Sequence, residues 1–366
     1  MNSALPRRTF LKSASIAALG FGGLKHFVHG QKQAAQNHLT PFGDLVRDRA
    51  GIFDLPPGFT RKVISTEGRI MADGFVTPGK FDGMAAFPTP DGKTVLIRNH
   101  ELSAQAKHLS PFQRLGSKPI PLTPDQFYDY GDGILPHIGG TSNVVYNTQT
   151  QEVESEFLSL IGTERNCAGG PTPWGTWITS EETTARATQT PKGAPTARNG
   201  RNKTPFIAIP SNKPTYQKDH GYNFEVHPST TPELSNPIPL KAMGRFRHEA
   251  IAVHPNESVI YQTEDVGDGL IYRFLLNEKS NPHAGGRLQA LAIINHPGAD
   301  TRNWGLKPSP LTEGQLLPIK WVDLDDVESP KNDLRYRGLA AGAAVFARGE
   351  GIITGETDIY WCCTNG

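Results

Sequence analysis

Short apolar runs, each closed off by turn-forming residues, recur along most of this chain, and no stretch holds a helical period for more than a few turns apart from a weak one near Asp125. Thr94–Arg98, Ser142–Tyr146, Gly175–Thr179, Ile251–Val253, Val259–Gln262, Leu270–Phe274 and Leu288–Ile293 are brief and rich in β-branched or aromatic residues. Pro90-Asp91-Gly92 and His254-Pro255-Asn256-Glu257 supply the turns between neighbouring runs. The 38 glycines and 30 prolines, with 37% hydrophobic residues, suit a turn-rich all-β chain. A loose echo links Phe87–Ile97 to Val253–Tyr261, each a small turn leading into a short apolar strand. Such units build β-propeller blades; a sandwich of similar strands is the rival arrangement. The polar stretch 183–218 reads as a long loop.

The N-terminus reads Arg7-Arg8-Thr9-Phe10-Leu11-Lys12 and then a mildly apolar, glycine-bearing run. That is a twin-arginine export pattern, and the run is too short and too glycine-rich to span a bilayer. Residues 1–30 are therefore expected to be a signal segment, with the mature chain starting between Val28 and Ala35, and residues 31–366 to form the β domain. The expected partner is the twin-arginine translocation machinery, and the expected location is periplasmic or extracellular. This route carries folded proteins, which favours an enzyme whose metal is inserted before export. A formal charge of +1 speaks against a nucleic-acid surface but leaves an anionic small molecule open as substrate. Three cysteines are too few for a disulfide scaffold, and the adjacent Cys362 and Cys363 read as buried strand residues. No obvious apolar face appears, so the chain is expected to be a monomer.

Polar residues cluster at the ends of the strand candidates: Arg98-Asn99-His100-Glu101, Asn166-Cys167, Glu181-Glu182, Arg245 to Glu249, Thr263-Glu264-Asp265 and Arg348-Gly349-Glu350. A single carboxylate after a strand is usually solvated. Several at propeller-like strand ends can converge on one channel, where their repulsion demands cations. Calcium takes carboxylate and carbonyl oxygens, and iron accepts carboxylate together with a thiolate, which Cys167 can supply. Arg98, Arg245, Arg247, Arg273 and Arg348 accompany the acids, and a guanidinium suits bidentate phosphate binding, although most such arginines form ordinary surface ion pairs.

In Asn166–Trp177, Arg247-His248-Glu249-Ala250, Thr263-Glu264-Asp265 and Arg348-Gly349-Glu350-Gly351 the chain resembles the PhoX family of alkaline phosphatases. The resemblance implies a six-bladed β-propeller with a mixed iron and calcium cluster, hydrolysing phosphate monoesters outside the cytoplasm and releasing inorganic phosphate. It implies Cys167 as an iron ligand, Glu249 and Glu350 as carboxylate ligands near the irons, and Arg348 as the holder of the substrate phosphate. Glu101, Glu182, Glu264 and Asp265 become calcium ligands or structural residues, and Glu356 and Asp358 rank below Glu350. The sequence stops at Cys362-Cys363-Thr364-Asn365-Gly366, in what resembles a mid-propeller strand and turn, so an incomplete propeller is expected, with further blades and an acidic ligand motif beyond it. Two rivals stand beside this reading. A calcium-dependent lactonase or phytase-like propeller would have no use for Cys167. A non-catalytic secreted binding propeller would scatter its acids.

Overall fold

The computed structural model describes residues 42–115, 120–131, 136–187, 216–304 and 311–365. Residues 1–30, read above as a signal segment, lie outside the described residues, as does most of the 183–218 stretch read as a loop. The chain divides into two units, Met1–Val63 and Ile64–Gly366. In the first, Val46 bridges Leu55 and Arg61 pairs with Asp48 at 2.8 Å. The second carries the strands.

That second unit is built almost wholly of antiparallel meanders, in which each strand turns back onto its chain neighbour. A four-stranded sheet takes β1 (Phe81–Pro88), β2 (Lys93–His100), β3 (Gly139–Asn147) and β4 (Glu152–Thr163) in sequence order. A three-stranded sheet takes β5 (Asn166–Pro171), β6 (Trp177–Glu181) and β7 (Asn223–Val226). A five-stranded sheet runs from β8 (His248–Val253) through β9 (Val259–Glu264), β10 (Ile271–Glu278) and β11 (Asn281–Ile293) to β12 (Ile319–Asp323). β13 (Gly349–Thr354) and β14 (Ile359–Cys363) pair as the last hairpin.

Local chemistry sets these elements. The Pro90-Asp91-Gly92 turn closes through Gly92 N–H on the Thr89 carbonyl, with Gly92 at φ +79°, where a side chain would be strained. It aligns Phe87 with Val95 and Ala85 with Ile97, putting Val95 and Ile97 on a fully buried face. The His254–Glu257 turn works in the same way, with Glu257 N–H on the His254 carbonyl. One α-helix, α1 (Leu334–Ala340), is described. The helical stretch expected near Asp125 is a single 3₁₀ turn, Pro124–Gln126, capped by Thr123. Its apolar neighbours, Phe127 and Tyr128, are buried as extended chain, and that burial overrides the weak period. Cys362 and Cys363 lie in β14 as expected but are half-buried.

The core fills the gaps between successive sheets. Val95, Ile97 and Leu160 of the first sheet meet Trp177 and Phe224 of the second. Ile178 of the second meets Ile251, Ile260, Tyr272 and Phe274 of the third. Ile271, Leu291 and Ile293 of the third pack with Ala344, and Phe346 and Trp361 lie against them. At one edge the first strands of the sheets run side by side: β5 packs against β1 and β8, and β8 against β13. Gly83 and Gly170 permit this. A Cβ on Gly83 would come within 2.9 Å of the Cys167 carbonyl oxygen, and one on Gly170 within 2.2 Å of that of Ile251.

Candidate metal centre

The edge where the first strands meet is where the acids and the thiol collect. In each first strand the regular pairing with its neighbour is interrupted at the start, between Phe81 and Met84, Asn166 and Gly169, His248 and Ile251, and Gly349 and Ile352. A bulge there re-aims the second residue of the strand. Those second residues are Asp82, Cys167, Glu249 and Glu350. The sheets thus contribute one donor each, from equivalent positions.

A second tier follows the same repeat. The residues just after the second strands are Glu101, Glu182, Asp265 and Thr364. Their N–H groups donate to the carbonyls of Lys80, Arg165, Arg247 and Arg348 respectively, each two residues before the first-strand donor. Lys80, Arg165 and Arg348 share a left-handed backbone, with φ of 50°, 55° and 53°. This conformation is costly for a non-glycine residue and is kept where surrounding structure enforces it.

The side chains of these two tiers form a chain of ion pairs. Glu101 takes Lys80 at 3.2 Å and Arg165 at 3.0 Å. Glu182 takes Arg165 at 3.1 Å and also pairs with Arg247. Arg348 grips Asp265 with both arms, at 2.7 and 3.0 Å, and reaches Glu350 at 3.1 Å. Thr364 donates to Glu350 at 2.8 Å. Together they line a cleft of about 560 Å³ that holds Glu101, Arg165, Cys167, Glu182, Arg247, Glu249, Asp265, Arg348 and Glu350.

Inside the ring the donors crowd one another. Cys167 Sγ lies 3.4 Å from Asp82 Oδ2 and 3.5 Å from Glu249 Oε1. Cys167, Glu182 and Glu249 bring one ligand atom each within 4.8 Å of one another, and so do Glu249, Asp265 and Glu350. Glu249 belongs to both groups. Burial first, and then the Glu350 and Glu182 carboxylates, push Glu249 up to about 8. Burial, followed by Glu249, Asp82 and Glu182, drives the Cys167 thiol far above its ordinary range. Burial also raises Glu182 and Asp82. Asp265 is held low instead; burial opposes this, but the Arg348 pair outweighs it. Negative charge is thus disfavoured at the centre, while the arginines stand mostly with the outer acids. The donor set fits cations: a thiol with carboxylates at one end and carboxylates alone at the other.

Of the residues singled out in the sequence, the structure brings together Cys167, Glu249, Glu350, Glu101, Glu182, Asp265 and Arg348. Glu264 does not join them. It is the last residue of β9, so it points to the opposite face from Asp265. There its carboxylate accepts from Tyr272 Oη at 2.8 Å and Leu270 N–H at 3.1 Å in the core. Arg98, Arg245 and Arg273 also face elsewhere, on Glu156, on the Ser329, Thr184 and Ala185 carbonyls, and on Trp321. Glu356 and Asp358 are exposed in the β13–β14 turn. Asp82 and Arg165 were missed. The signal that finds them is a basic residue two positions before a donor: Lys80 and Asp82, Arg165 and Cys167, Arg247 and Glu249, Arg348 and Glu350.

The model of the family described as alkaline phosphatase PhoX matches residues 40–132 and 136–366 of this chain. The chain belongs to the PhoX family. It is also similar in fold to a solved structure, Pseudomonas fluorescens PhoX in complex with vanadate, a transition state analogue, at a TM-score of 0.52 and 18% identity. The likeness covers 84% of this chain and 65% of that one, so the chain spans less than two thirds of that PhoX. No curated protein matches. Cys167, Glu249, Arg348 and Glu350 all lie within the residues that this family model matches.

Proposed function

We propose that this chain is the metal-binding part of an exported phosphatase that hydrolyses phosphate monoesters to inorganic phosphate. The observation that carries the reading is the convergence of Asp82, Cys167, Glu249 and Glu350 from equivalent positions of four sheets. Meanders meeting at their first strands support a β-propeller, with six blades by family precedent. The Arg7-Arg8 pattern supports export by the twin-arginine route to the periplasm or beyond, and the lack of an obvious apolar face supports a monomer.

Cys167, Glu249 and Asp82 would hold iron, with Glu182 and Glu350 beside them; Asp265 and Glu101 are oxygen donors suited to calcium. Bound cations would supply charge to offset that developing on the phosphoryl oxygens and would lower the pKa of water. The chain's own contribution is to bind and orient. Arg348 stands half-exposed at the cleft, aligned through Nε and Nη2 by Asp265 and Glu350, which leaves Nη1 as its donor for an anion. Arg247 and Arg165, tethered by Glu182, add donors on the same wall. The thiol at the centre separates this reading from a calcium-only propeller hydrolase, and the shared centre separates it from a binding module.

The test is to purify the chain from cells supplied with iron and calcium, and to measure bound metals and hydrolysis of a chromogenic phosphate monoester. A version extended with the C-terminal part of the solved relative is assayed in parallel. Metal binding with hydrolysis by either form upholds the reading; if neither binds iron, it fails.

A further inference from the structure

A second cluster shares no residue with the cleft. Asp129 and His137 come from the segment before β3, and His220 from the segment before β7. Their ligand atoms lie within 4.8 Å of one another, and all three side chains are buried. His220 Nε2 is 3.2 Å from Asp129 Oδ2, and His137 Nε2 is 3.7 Å from the same oxygen. Around a tetrahedral zinc with bonds of about 2.0–2.1 Å, ligand atoms stand roughly 3.3 Å apart.

A carboxylate stands behind each ring, hydrogen-bonded to it only at His220. His220 Nδ1 donates to Glu181 Oε1 at 2.7 Å, and His137 Nδ1 lies 3.4 Å from Glu164 Oε2. A carboxylate behind Nδ1 keeps a proton on that nitrogen, so that loss of the Nε2 proton presents Nε2 to a metal. Glu181 is itself held by the N–H groups of Glu164, Gly221 and Tyr222. Asp129 is held by those of Gly131, Gln217 and Lys218. Tyr216 stacks on the His137 ring at 4.4 Å. The independent sign is His137 Nε2. It is buried, faces Asp129 and His220, and has no hydrogen-bond partner among the described residues. A buried imidazole nitrogen without a partner is costly unless something fills its lone pair.

We infer that Asp129, His137 and His220 form a second, structural metal site for a divalent transition ion of the zinc class, with Glu181 orienting the His220 imidazole. Two nitrogens and one carboxylate oxygen suit zinc, whereas calcium would want oxygen alone. Binding displaces the proton from His220 Nε2 to solvent, while Nδ1–H stays on Glu181. The ion ties the segment before β3 to the segment before β7 across 91 residues.

The test uses the full chain stripped by chelator and reloaded with zinc(II) alone. The combined Cys167→Ser and Glu249→Gln background silences the cleft. Competition with a chromophoric chelator should show roughly one zinc retained there, and adding His137→Gln should weaken it by about 10²-fold. Unchanged zinc affinity in the His137→Gln chain overturns the inference. Should that variant fail to fold, zinc-edge anomalous diffraction from the unsubstituted, zinc-loaded chain decides. A peak within about 2 Å of both Nε2 atoms upholds the site. No peak there leaves only an imidazolium held between Asp129 and Glu181, and the inference fails.

Discussion

Cys167 Sγ lies 3.5 Å from Glu249 Oε1, although 82 residues separate them. Each is the second residue of the first strand of its sheet, and each lies within a backbone irregularity that turns it toward the cleft. A thiol against a carboxylate in a half-closed site is unfavourable for both as anions, and a shared cation resolves the conflict. Cys167→Ser should therefore lose bound iron and reduce phosphomonoester hydrolysis by more than about 10²-fold, since it removes a ligand rather than a supporting contact. The circular dichroism spectrum should not change. Full iron content in the serine variant would remove Cys167 from the metal site.

Arg348 holds one carboxylate with both arms, at 2.7 and 3.0 Å on Asp265. Lysine keeps the charge but loses the fork. Arg348→Lys should lower kcat/KM by about 10²-fold, the scale of losing one aligned transition-state donor. Stability should move by less than about 0.5 kcal/mol, because the side chain is half-exposed. Steady-state kinetics beside a urea melt check both halves. An unchanged kcat/KM would show that the substrate phosphate is held elsewhere.

The strands and turns were legible in the sequence because their signals are local. Pro90-Asp91-Gly92 needs only its own residues to turn, and Val95 and Ile97 show their shared face by spacing. The donors Cys167, Glu249 and Glu350 were legible through their motifs. Which way a strand-end acid points was not. Glu264 and Asp265 are neighbours, yet one faces the core and the other the cleft, and a shift of one residue exchanges them. The bulges that set this phase depend on pairing with a distant strand. Asp82 escaped for the same reason: only the packing of β1 on β5 brings it to Cys167.

That geometry makes a direct forecast for Glu264. Glu264→Gln keeps an oxygen for Tyr272 and Leu270, so it should retain the metal content and stay within about twofold of the parent rate. Glu249→Gln should lose metal. Metal analysis of the pair is the check, and iron lost from Glu264→Gln would contradict the placement.

Asn99 connects the first sheet to the strand that carries Cys167. Its amide donates to the Cys167 and Ala168 carbonyls at 3.1 and 2.6 Å, and its oxygen accepts from Trp177 and Thr179 at 2.9 and 2.8 Å. Asn99→Ala leaves the buried Trp177 N–H and Thr179 hydroxyl without that acceptor. It should cost about 3 kcal/mol in a denaturant melt. It should also lower iron content in the fraction that remains folded, because β5 loses the bonds that fix its bulge. A destabilised variant with full iron would confine Asn99 to packing.

Acid stability rests on a different carboxylate, remote from the cleft. Burial tends to raise Glu225, but hydrogen bonds from His283 at 2.9 Å, Thr176 at 2.6 Å and Trp174 at 2.8 Å outweigh it and hold the group at about 2. A carboxylate whose folded pKa is depressed binds fewer protons in the folded state. Its contribution is therefore complete above the ordinary value of 4.5 and is lost as pH falls through about 2. The melting temperature of the parent should decline across that window. Glu225→Gln should start lower at neutral pH and show a shallower decline over the same range, because glutamine does not titrate. Parallel slopes for parent and variant between pH 4.5 and 2 would show that Glu225 is not the group being protonated.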